Sequence, residues 1–177
     1  MINVLIIGYG YWGPKLARNF SNSNNFNLHS ICDLNSNSLT KAKKNYPNVK
    51  LYLNFKKALK FNKYDLVVIS TPTETHYKLT KIILSKGINV LVEKPLCFSL
   101  KEQINLNKIA KSTKKKLFVD YPFVHSGSVK YIKKLLFNNK YGKLTSIESY
   151  REQAPIRKDT NVFWDLSIHD ISIFNYL

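Results

Sequence analysis

The 177-residue sequence has few cysteines, few acidic residues and no long apolar stretch. Its two cysteines, Cys32 and Cys97, are too few for a disulfide framework or a metal cluster, and we interpret both as packing residues. No uncharged apolar stretch reaches the roughly 18 residues that a membrane-spanning helix needs. The apolar N-terminal run lacks the basic leader and small-residue cleavage site of a signal peptide. We therefore expect a cytoplasmic protein that contains no metal.

Acidic side chains are scarce, since the chain has 11 Asp and Glu but 28 Lys and Arg. Its net charge is therefore +17. The excess is almost entirely lysine spread along the chain, and the only arginines are Arg18, Arg151 and Arg157. A nucleic-acid footprint would be clustered and richer in arginine. We interpret the charge as compositional drift toward Lys, Asn and Ile and predict no nucleic-acid partner. An anionic substrate such as a sugar nucleotide would still be attracted by this field.

The residues that are present predict a globular α/β protein, since 44% are hydrophobic and 13% aromatic. Short apolar runs alternate with helical patterns, which predicts a parallel sheet covered by helices on both faces. The predicted strands are 2–7, 28–32, 49–53, 66–70, 88–92 and 117–119, and the predicted helices are 14–20, 38–46, 75–86 and 99–111. Residues 1–121 are thus predicted to form a Rossmann-type doubly wound domain. A helix at 128–137, a strand at 144–151 and an amphipathic helix at 163–177 would begin a second domain, 122–177.

Three glycines follow the first predicted strand in the pattern GxGxxG, at Gly8, Gly10 and Gly13. In a dinucleotide-binding unit such glycines permit a tight turn, backbone approach to the pyrophosphate and close helix packing. Asp33 ends the second strand, twenty residues after Gly13. A carboxylate there accepts hydrogen bonds from the ribose hydroxyls and repels a 2′-phosphate, so this joint pattern predicts NAD as the cofactor. The alternative for Asp33 is a cap on the following turn.

Four segments together resemble the Gfo/Idh/MocA oxidoreductases along essentially the whole chain: "GYGYWG" (8–13), "STPTETHY" (70–77), "VLVEKPL" (90–96) and "DLSIHDISI" (165–173). Residues 161–177 are most similar to members that act on sugar nucleotides in polysaccharide biosynthesis, such as UDP-N-acetylglucosamine 3-dehydrogenases. The resemblance implies an NAD-dependent dehydrogenase acting on a secondary alcohol of a sugar or sugar nucleotide. Family members are longer and are expected to be homo-oligomers, so we expect a truncated chain whose substrate and oligomerisation domain is incomplete.

The resemblance places Lys94 in the active site, before a Pro95 whose peptide bond is often cis in the family. It implies that His169 is the acid/base, that Asp165 orients the substrate or the histidine, and that Lys94 assists. Histidine titrates near neutrality and a desolvated lysine loses its proton more readily, so either can accept a hydroxyl proton. Which of the two does so stays open. The alternatives are a surface lysine, a helix-face Asp/His pair without chemistry, and a non-catalytic NAD-binding module.

The remaining predicted contacts also come from the resemblance. Thr71 and Pro72 would line the nicotinamide pocket, and we expect His76 to be structural or cofactor-contacting rather than catalytic. Tyr121 and Asn161 are candidate substrate contacts, although Tyr121 could equally belong to the core. The predicted cofactor-binding set is Gly8, Gly10, Tyr11, Trp12, Gly13, Asp33, Ser70, Thr71, Pro72, Thr75, His76, Glu93, Lys94 and Pro95. The predicted substrate-binding set is Lys94, Tyr121, Asn161, Asp165 and His169.

Overall fold

Strands and helices alternate along the first two thirds of the chain in a computed structural model that describes residues 1–61, 63–138, 141–151 and 161–177. The strands are β1 (Ile2–Ile7), β2 (Phe26–Cys32), β3 (Lys50–Tyr52), β4 (Leu66–Ile69), β5 (Asn89–Glu93) and β6 (Leu117–Asp120). The helices between them are α1 (Gly13–Ser21), α2 (Ser36–Asn45), α3 (Phe55–Phe61), α4 (Thr73–Ser85) and α5 (Leu100–Ser112). The described residues form two compact units, Met1–Val119 and Asp120–Leu177.

The six strands form one sheet in the order β3-β2-β1-β4-β5-β6. β1 pairs in parallel with β2 and with β4, β2 pairs in parallel with β3, and β4 pairs in parallel with β5. This is the strand order of a dinucleotide-binding doubly wound sheet, so the predicted fold class is confirmed. The order reverses between β1 and β4, and ligands of such sheets bind outside the carboxyl ends of the strands at that switch point.

The central strands β1 and β4 are apolar over Val4–Ile7 and Leu66–Ile69, because both faces of the sheet are covered there. Leu5 and Ile7 of β1 belong to one buried cluster, whereas Val4 and Ile6 belong to another on the opposite face. Successive strand side chains point to opposite faces, so one short apolar run contributes to both clusters. The carboxyl ends of β1 and β4 are thereby held rigidly beside each other.

Helix α3 was not predicted, and its start carries a signal that could have found it. The Asn54 side-chain oxygen accepts a hydrogen bond from the Lys56 N–H (2.8 Å). Asparagine is a favoured residue immediately before a helix because its short side chain satisfies an unpaired amide of the first turn. Within α3, Ala58 is fully buried against the sheet.

The second unit contains a 3₁₀ turn (Pro122–His125), α6 (Gly127–Phe137), a π-helical turn (Phe163–Ser167) and α7 (Ile168–Tyr176). The predicted strand at 144–151 is wrong, because these residues form no strand. A strand exists only where its backbone is hydrogen-bonded to a neighbouring strand, and the described residues of this unit provide none for that segment. The sequence alternation alone could not supply that partner.

None of the helices in the described parts of the chain has both the length and the apolar composition needed to cross a bilayer.

Candidate functional site

Two of the three loop glycines are required by contacts inside the protein. Gly8 has φ +96°, and a Cβ there would lie 2.5 Å from the carbonyl oxygen of Ser70. A Cβ on Gly13 would lie 2.3 Å from the carbonyl oxygen of Gly8. Both distances are far below van der Waals contact, and the opposing atoms belong to the backbone. A side chain therefore fits at neither position without displacing the β1 or β4 strand end.

Gly10 is different, because a Cβ there would meet no atom within 4 Å. Nothing inside the fold requires glycine at this position. Bare backbone facing open space at the end of β1 is the arrangement that lets a ligand's phosphate groups approach the chain closely. The loop therefore presents a cradle that a side chain at Gly10 would fill.

Helix α1 begins directly after this loop and adds a positive electrostatic potential. Pro14 occupies its first turn, and among the described residues no side chain caps its N-terminal amides. Tyr11 and Trp12 lie edge to face (5.4 Å between ring centroids), with the Lys15 ammonium 3.7 Å and 3.9 Å from the two ring centroids. Uncapped amides at a helix N-terminus bind anionic oxygens, and Lys15 places a cation beside them. The sequence analysis had assigned Lys15 no role.

Asp33 is fixed at the end of β2 by two backbone amides. One carboxylate oxygen accepts a hydrogen bond from the Tyr9 N–H (2.6 Å) and the other from the Asn35 N–H (2.7 Å). The hydrogen bond from Asn35 is the turn cap that was the alternative prediction for Asp33. A carboxylate oxygen can accept more than one hydrogen bond. Asp33 therefore retains acceptor capacity for ribose hydroxyls beside the glycine loop.

Cys32, next to Asp33, is a buried free thiol. Burial and the neighbouring Asp33 carboxylate raise the pKa of Cys32 to about 12. Because a thiol rather than a thiolate is present at neutral pH, Cys32 behaves as a small apolar core residue.

The loop after β4 is hydrogen-bonded to the glycine loop. The Ser70 N–H donates to the Ile7 carbonyl (2.8 Å), and the Ser70 hydroxyl donates to the Gly8 carbonyl (2.8 Å). The Thr75 hydroxyl donates to the Pro72 carbonyl (2.7 Å) and lies 2.6 Å from the Thr71 hydroxyl. These bonds hold the predicted nicotinamide-side residues at the switch point of the sheet.

His76 lies beneath that loop and is only 1% exposed. Its Nδ1 is 2.8 Å from the Pro95 carbonyl oxygen, and its Nε2 is 2.8 Å from the Thr71 carbonyl oxygen. Burial lowers the pKa of His76, whereas the two carbonyl contacts and the nearby Glu74 act in the opposite direction. With both ring nitrogens turned to backbone carbonyls, His76 joins the loops that follow β4 and β5.

Lys94 follows β5 directly and is half-buried, as is Glu93. The Lys94–Pro95 peptide bond is cis, as the resemblance implied. Because β5 pairs with β4 and β4 with β1, Lys94 lies at the same carboxyl edge as Thr71 and the glycine loop. The first unit thus brings its predicted cofactor-binding residues together at one edge of the sheet.

The second unit carries Asp165 and His169 on its last helical segment and Asn161 just before it. The predicted uninterrupted helix is wrong at its beginning, because Asp165 lies in the π-helical turn and His169 in α7. The Asn161 side-chain oxygen accepts a hydrogen bond from the Trp164 N–H (3.0 Å), and the Asn161 carbonyl accepts one from the Asp165 N–H (3.1 Å). Single π-helical turns occur frequently at functional sites. The regular i,i+4 relationship does not apply across this change of helix type.

Sequence reasoning missed a cluster of side chains around His169. The Phe123 ring meets the His169 ring edge to face, 4.8 Å between centroids, and the Arg151 guanidinium lies 4.9 Å from the Phe123 ring centroid. Arg151 also donates hydrogen bonds to Asp170, through Nη2 to Oδ1 (2.8 Å) and through Nε to both Oδ2 (3.1 Å) and Oδ1 (3.3 Å). These bonds hold the pKa of Asp170 below its usual range. The cluster restrains the helix turn that carries His169.

Tyr121 is half-buried and immediately precedes the 3₁₀ turn, where its carbonyl accepts a hydrogen bond from the Val124 N–H (3.3 Å). This position fits both of the alternatives predicted for Tyr121, a core residue and a substrate contact.

Known proteins share this fold. The myo-inositol 2-dehydrogenase of Lactobacillus plantarum superposes with a TM-score of 0.85 at 25% identity, covering 99% of this chain and 56% of that one. The WlbA dehydrogenase of Bordetella pertussis, solved with NADH and UDP-GlcNAcA, superposes with a TM-score of 0.75 at 20% identity over 80% of this chain and 43% of that one. The oxidoreductase YdgJ of Escherichia coli is 29% identical over 154 residues, which are 84% of this chain and 42% of YdgJ.

The chain therefore spans about half the length of the relatives that it matches. The Gfo/Idh/MocA family, described as an oxidoreductase family with an NAD-binding Rossmann fold, matches residues 2–121. This range includes the glycine loop, Asp33, the loop after β4 and the Lys94–Pro95 turn. The chain belongs to the Gfo/Idh/MocA oxidoreductase family, and its first unit is the NAD-binding Rossmann domain of that family.

Proposed function

We propose that this chain supplies the cofactor site and the proton-transferring side chains of a dehydrogenase that moves a hydride between NAD and a secondary alcohol of a sugar or sugar nucleotide. The observation that carries the proposal is the open backbone at Gly10, between two glycines whose positions are closed by packing. This opening lies beside the N-terminus of α1, where unpaired amides attract anionic oxygens. Bound NAD supplies the hydride acceptor, C4 of its nicotinamide ring.

The residues of the first unit fit NAD by their donors and charges. The amides of the glycine loop and of the first turn of α1 would hold the pyrophosphate, with Lys15 nearby as a cation. Asp33 would accept the hydroxyls of the adenosine ribose. The Thr71–Pro72 turn would line the nicotinamide side, next to Lys94.

Asp33 makes the cofactor preference testable. The variant Asp33→Asn removes the negative charge that would repel a 2′-phosphate, so we expect the ratio of NADPH to NADH affinity to rise about tenfold or more. The matched control is Asp65→Asn, because Asp65 also accepts a hydrogen bond from a backbone amide, that of Asn3 (2.8 Å), but at the amino end of β1. Titration of each variant with both cofactors measures the ratio, and an unchanged ratio in Asp33→Asn contradicts the role of Asp33.

Two side chains are suited to accept the hydroxyl proton as hydride leaves the substrate. Histidine imidazoles and desolvated amines are side chains that accept protons in general base catalysis, and His169 and Lys94 supply one of each. We infer that Asp165 orients the substrate or His169, and that Asn161 and Tyr121 contact the substrate. The Phe123–Arg151–Asp170 cluster supports this assignment, because it restrains the helix that bears His169.

The substrate class is inferred from relatives and from charge. The superposed relatives are a myo-inositol dehydrogenase and a dehydrogenase solved with a UDP-sugar, both of which concern polyhydroxylated rings. The net charge of +17 favours the anionic member of this class, a sugar nucleotide. The second candidate is a non-catalytic NAD-binding module, because the family match covers residues 2–121, the NAD-binding Rossmann fold.

A two-step experiment separates these functions. NADH is titrated into the chain by fluorescence, and NAD turnover is then measured with UDP-N-acetylglucosamine, glucose and myo-inositol. We expect NADH binding together with turnover that is fastest on the sugar nucleotide. NADH binding without turnover of any substrate would favour the module, and absence of NADH binding would contradict both.

A further inference from the structure

His76 connects the two loops on which the proposed nicotinamide pocket and Lys94 depend. It is the fourth residue of α4, its side chain is buried, and its ring lies between the Thr71 and Pro95 carbonyls at 2.8 Å each. Thr71 comes shortly after β4, and Pro95 comes shortly after β5. One ring therefore bridges the loops that follow two neighbouring, hydrogen-bonded strands.

The two contacts are restrictive because of the chemistry of the partners. A carbonyl oxygen can only accept a hydrogen bond, so the ring must supply the donor. A neutral imidazole carries one N–H and donates to one of the two carbonyls, whereas the protonated ring donates to both. Glu74, two residues before His76 on the same helix, is a charged residue whose field acts on the ring.

The peptide that carries the Pro95 carbonyl is also held from its other side. Leu96 and Cys97 are both buried in the apolar cluster beneath the sheet edge. Lys94, one residue before Pro95, is thus placed by a backbone segment that is tied to His76 at one end and packed at the other. Loss of the His76 contact would free the segment on the side that faces Thr71.

We propose that His76 is a positioning residue, which holds the Thr71 turn and the Lys94–Pro95 turn at the spacing that the nicotinamide end of the cofactor requires. The inference rests on the proposed function. This role differs from that of a buried histidine that only stabilises the fold. Loss of a purely stabilising residue would weaken all parts of the cofactor site equally. The pyrophosphate cradle at Gly10 and the ribose acceptor Asp33 make no hydrogen bond to His76.

The test compares NADH with ADP-ribose, which carries the adenosine and pyrophosphate but no nicotinamide. Dissociation constants of both ligands are measured on the complete chain and on His76→Leu. We expect NADH affinity to fall about tenfold, the equivalent of one lost buried hydrogen bond, while ADP-ribose affinity stays within about twofold. His76→Asn and His76→Gln, which keep a single donor near the Nδ1 and Nε2 positions respectively, are expected to recover part of the loss.

The matched control is Thr80→Val, one turn further along α4, where the fully buried Thr80 hydroxyl has no hydrogen-bond partner within the described residues. It should leave the ratio of the two affinities unchanged. Equal weakening of NADH and ADP-ribose in the His76 variants, or no weakening of either, would overturn the inference while leaving the proposed function intact. If the unmodified chain binds neither ligand, both proposals fail. Where His76→Leu does not fold, as judged by circular dichroism, the Asn and Gln variants decide between these outcomes.

Discussion

Gly13→Ala is expected to unfold the Rossmann unit, and Gly10→Ala is expected to leave it folded but unable to bind NADH. The Cβ added at Gly13 would lie 2.3 Å from the Gly8 carbonyl oxygen and 3.0 Å from its carbon. Neither atom can rotate away, so one backbone segment must move. We expect the free energy of unfolding to fall by about 3 kcal/mol or more, which is a large part of the stability of a small domain.

The Gly10 substitution acts on the ligand instead of the fold. Its Cβ would enter open space, so we expect the free energy of unfolding to change by less than about 1 kcal/mol. The same methyl group would occupy the place where phosphate oxygens approach the backbone, and NADH affinity should fall by about tenfold or more.

Chemical unfolding followed by circular dichroism measures the first effect of these glycine substitutions, and NADH fluorescence titration measures the second. Each variant serves as the control for the other. A Gly10→Ala chain that binds NADH as tightly as the unmodified chain would mean that the pyrophosphate lies elsewhere. A Gly13→Ala chain of unchanged stability would contradict the packing of α1 against the end of β1.

Removal of the side chain that accepts the substrate proton is expected to lower kcat by about 10²–10⁴-fold, the usual contribution of general base catalysis. Lys94→Ala and His169→Ala are therefore compared on the substrate that gives turnover. The variant that has lost the base should also lose the ascending limb of the pH profile of kcat. The other variant should keep that limb and show a smaller loss, because it has lost only an orienting hydrogen bond.

Two control variants keep the comparison specific to Lys94 and His169. Lys111→Ala removes an exposed lysine near the end of α5, and His125→Ala removes a histidine of the 3₁₀ turn to which no role is assigned. Both should turn over at the rate of the unmodified chain. If Lys94→Ala and His169→Ala also retain that rate, the proposed chemistry is wrong, whatever the affinity for NADH.

Much of the Rossmann unit can be predicted from local sequence because its signals are local. The run from Val4 to Ile7 is apolar at every position, which is typical of a strand buried on both faces, and three glycines follow it at a diagnostic spacing. Helix ends shifted by one or two residues, and α3 was missed although Asn54 marks its start. The second unit was harder to predict. A strand at 144–151 would need a partner strand, which a local sequence pattern cannot indicate, and these residues form no strand.

The amino-acid sequence by itself determined the class of fold, the glycine loop and the acid that follows the second strand, because periodicity and residue type act over a few neighbouring positions. Only the tertiary structure shows which loop glycines have no room for a side chain and which one faces open space. At Gly8 the carbonyl of Ser70, 62 positions away, leaves no room for a side chain, whereas Gly10 faces open space. The tertiary structure alone also places His76 between two carbonyls and Arg151 against Asp170. Such contacts join residues that are distant in the chain, and their geometry is set by which strands pair and how helices pack on them.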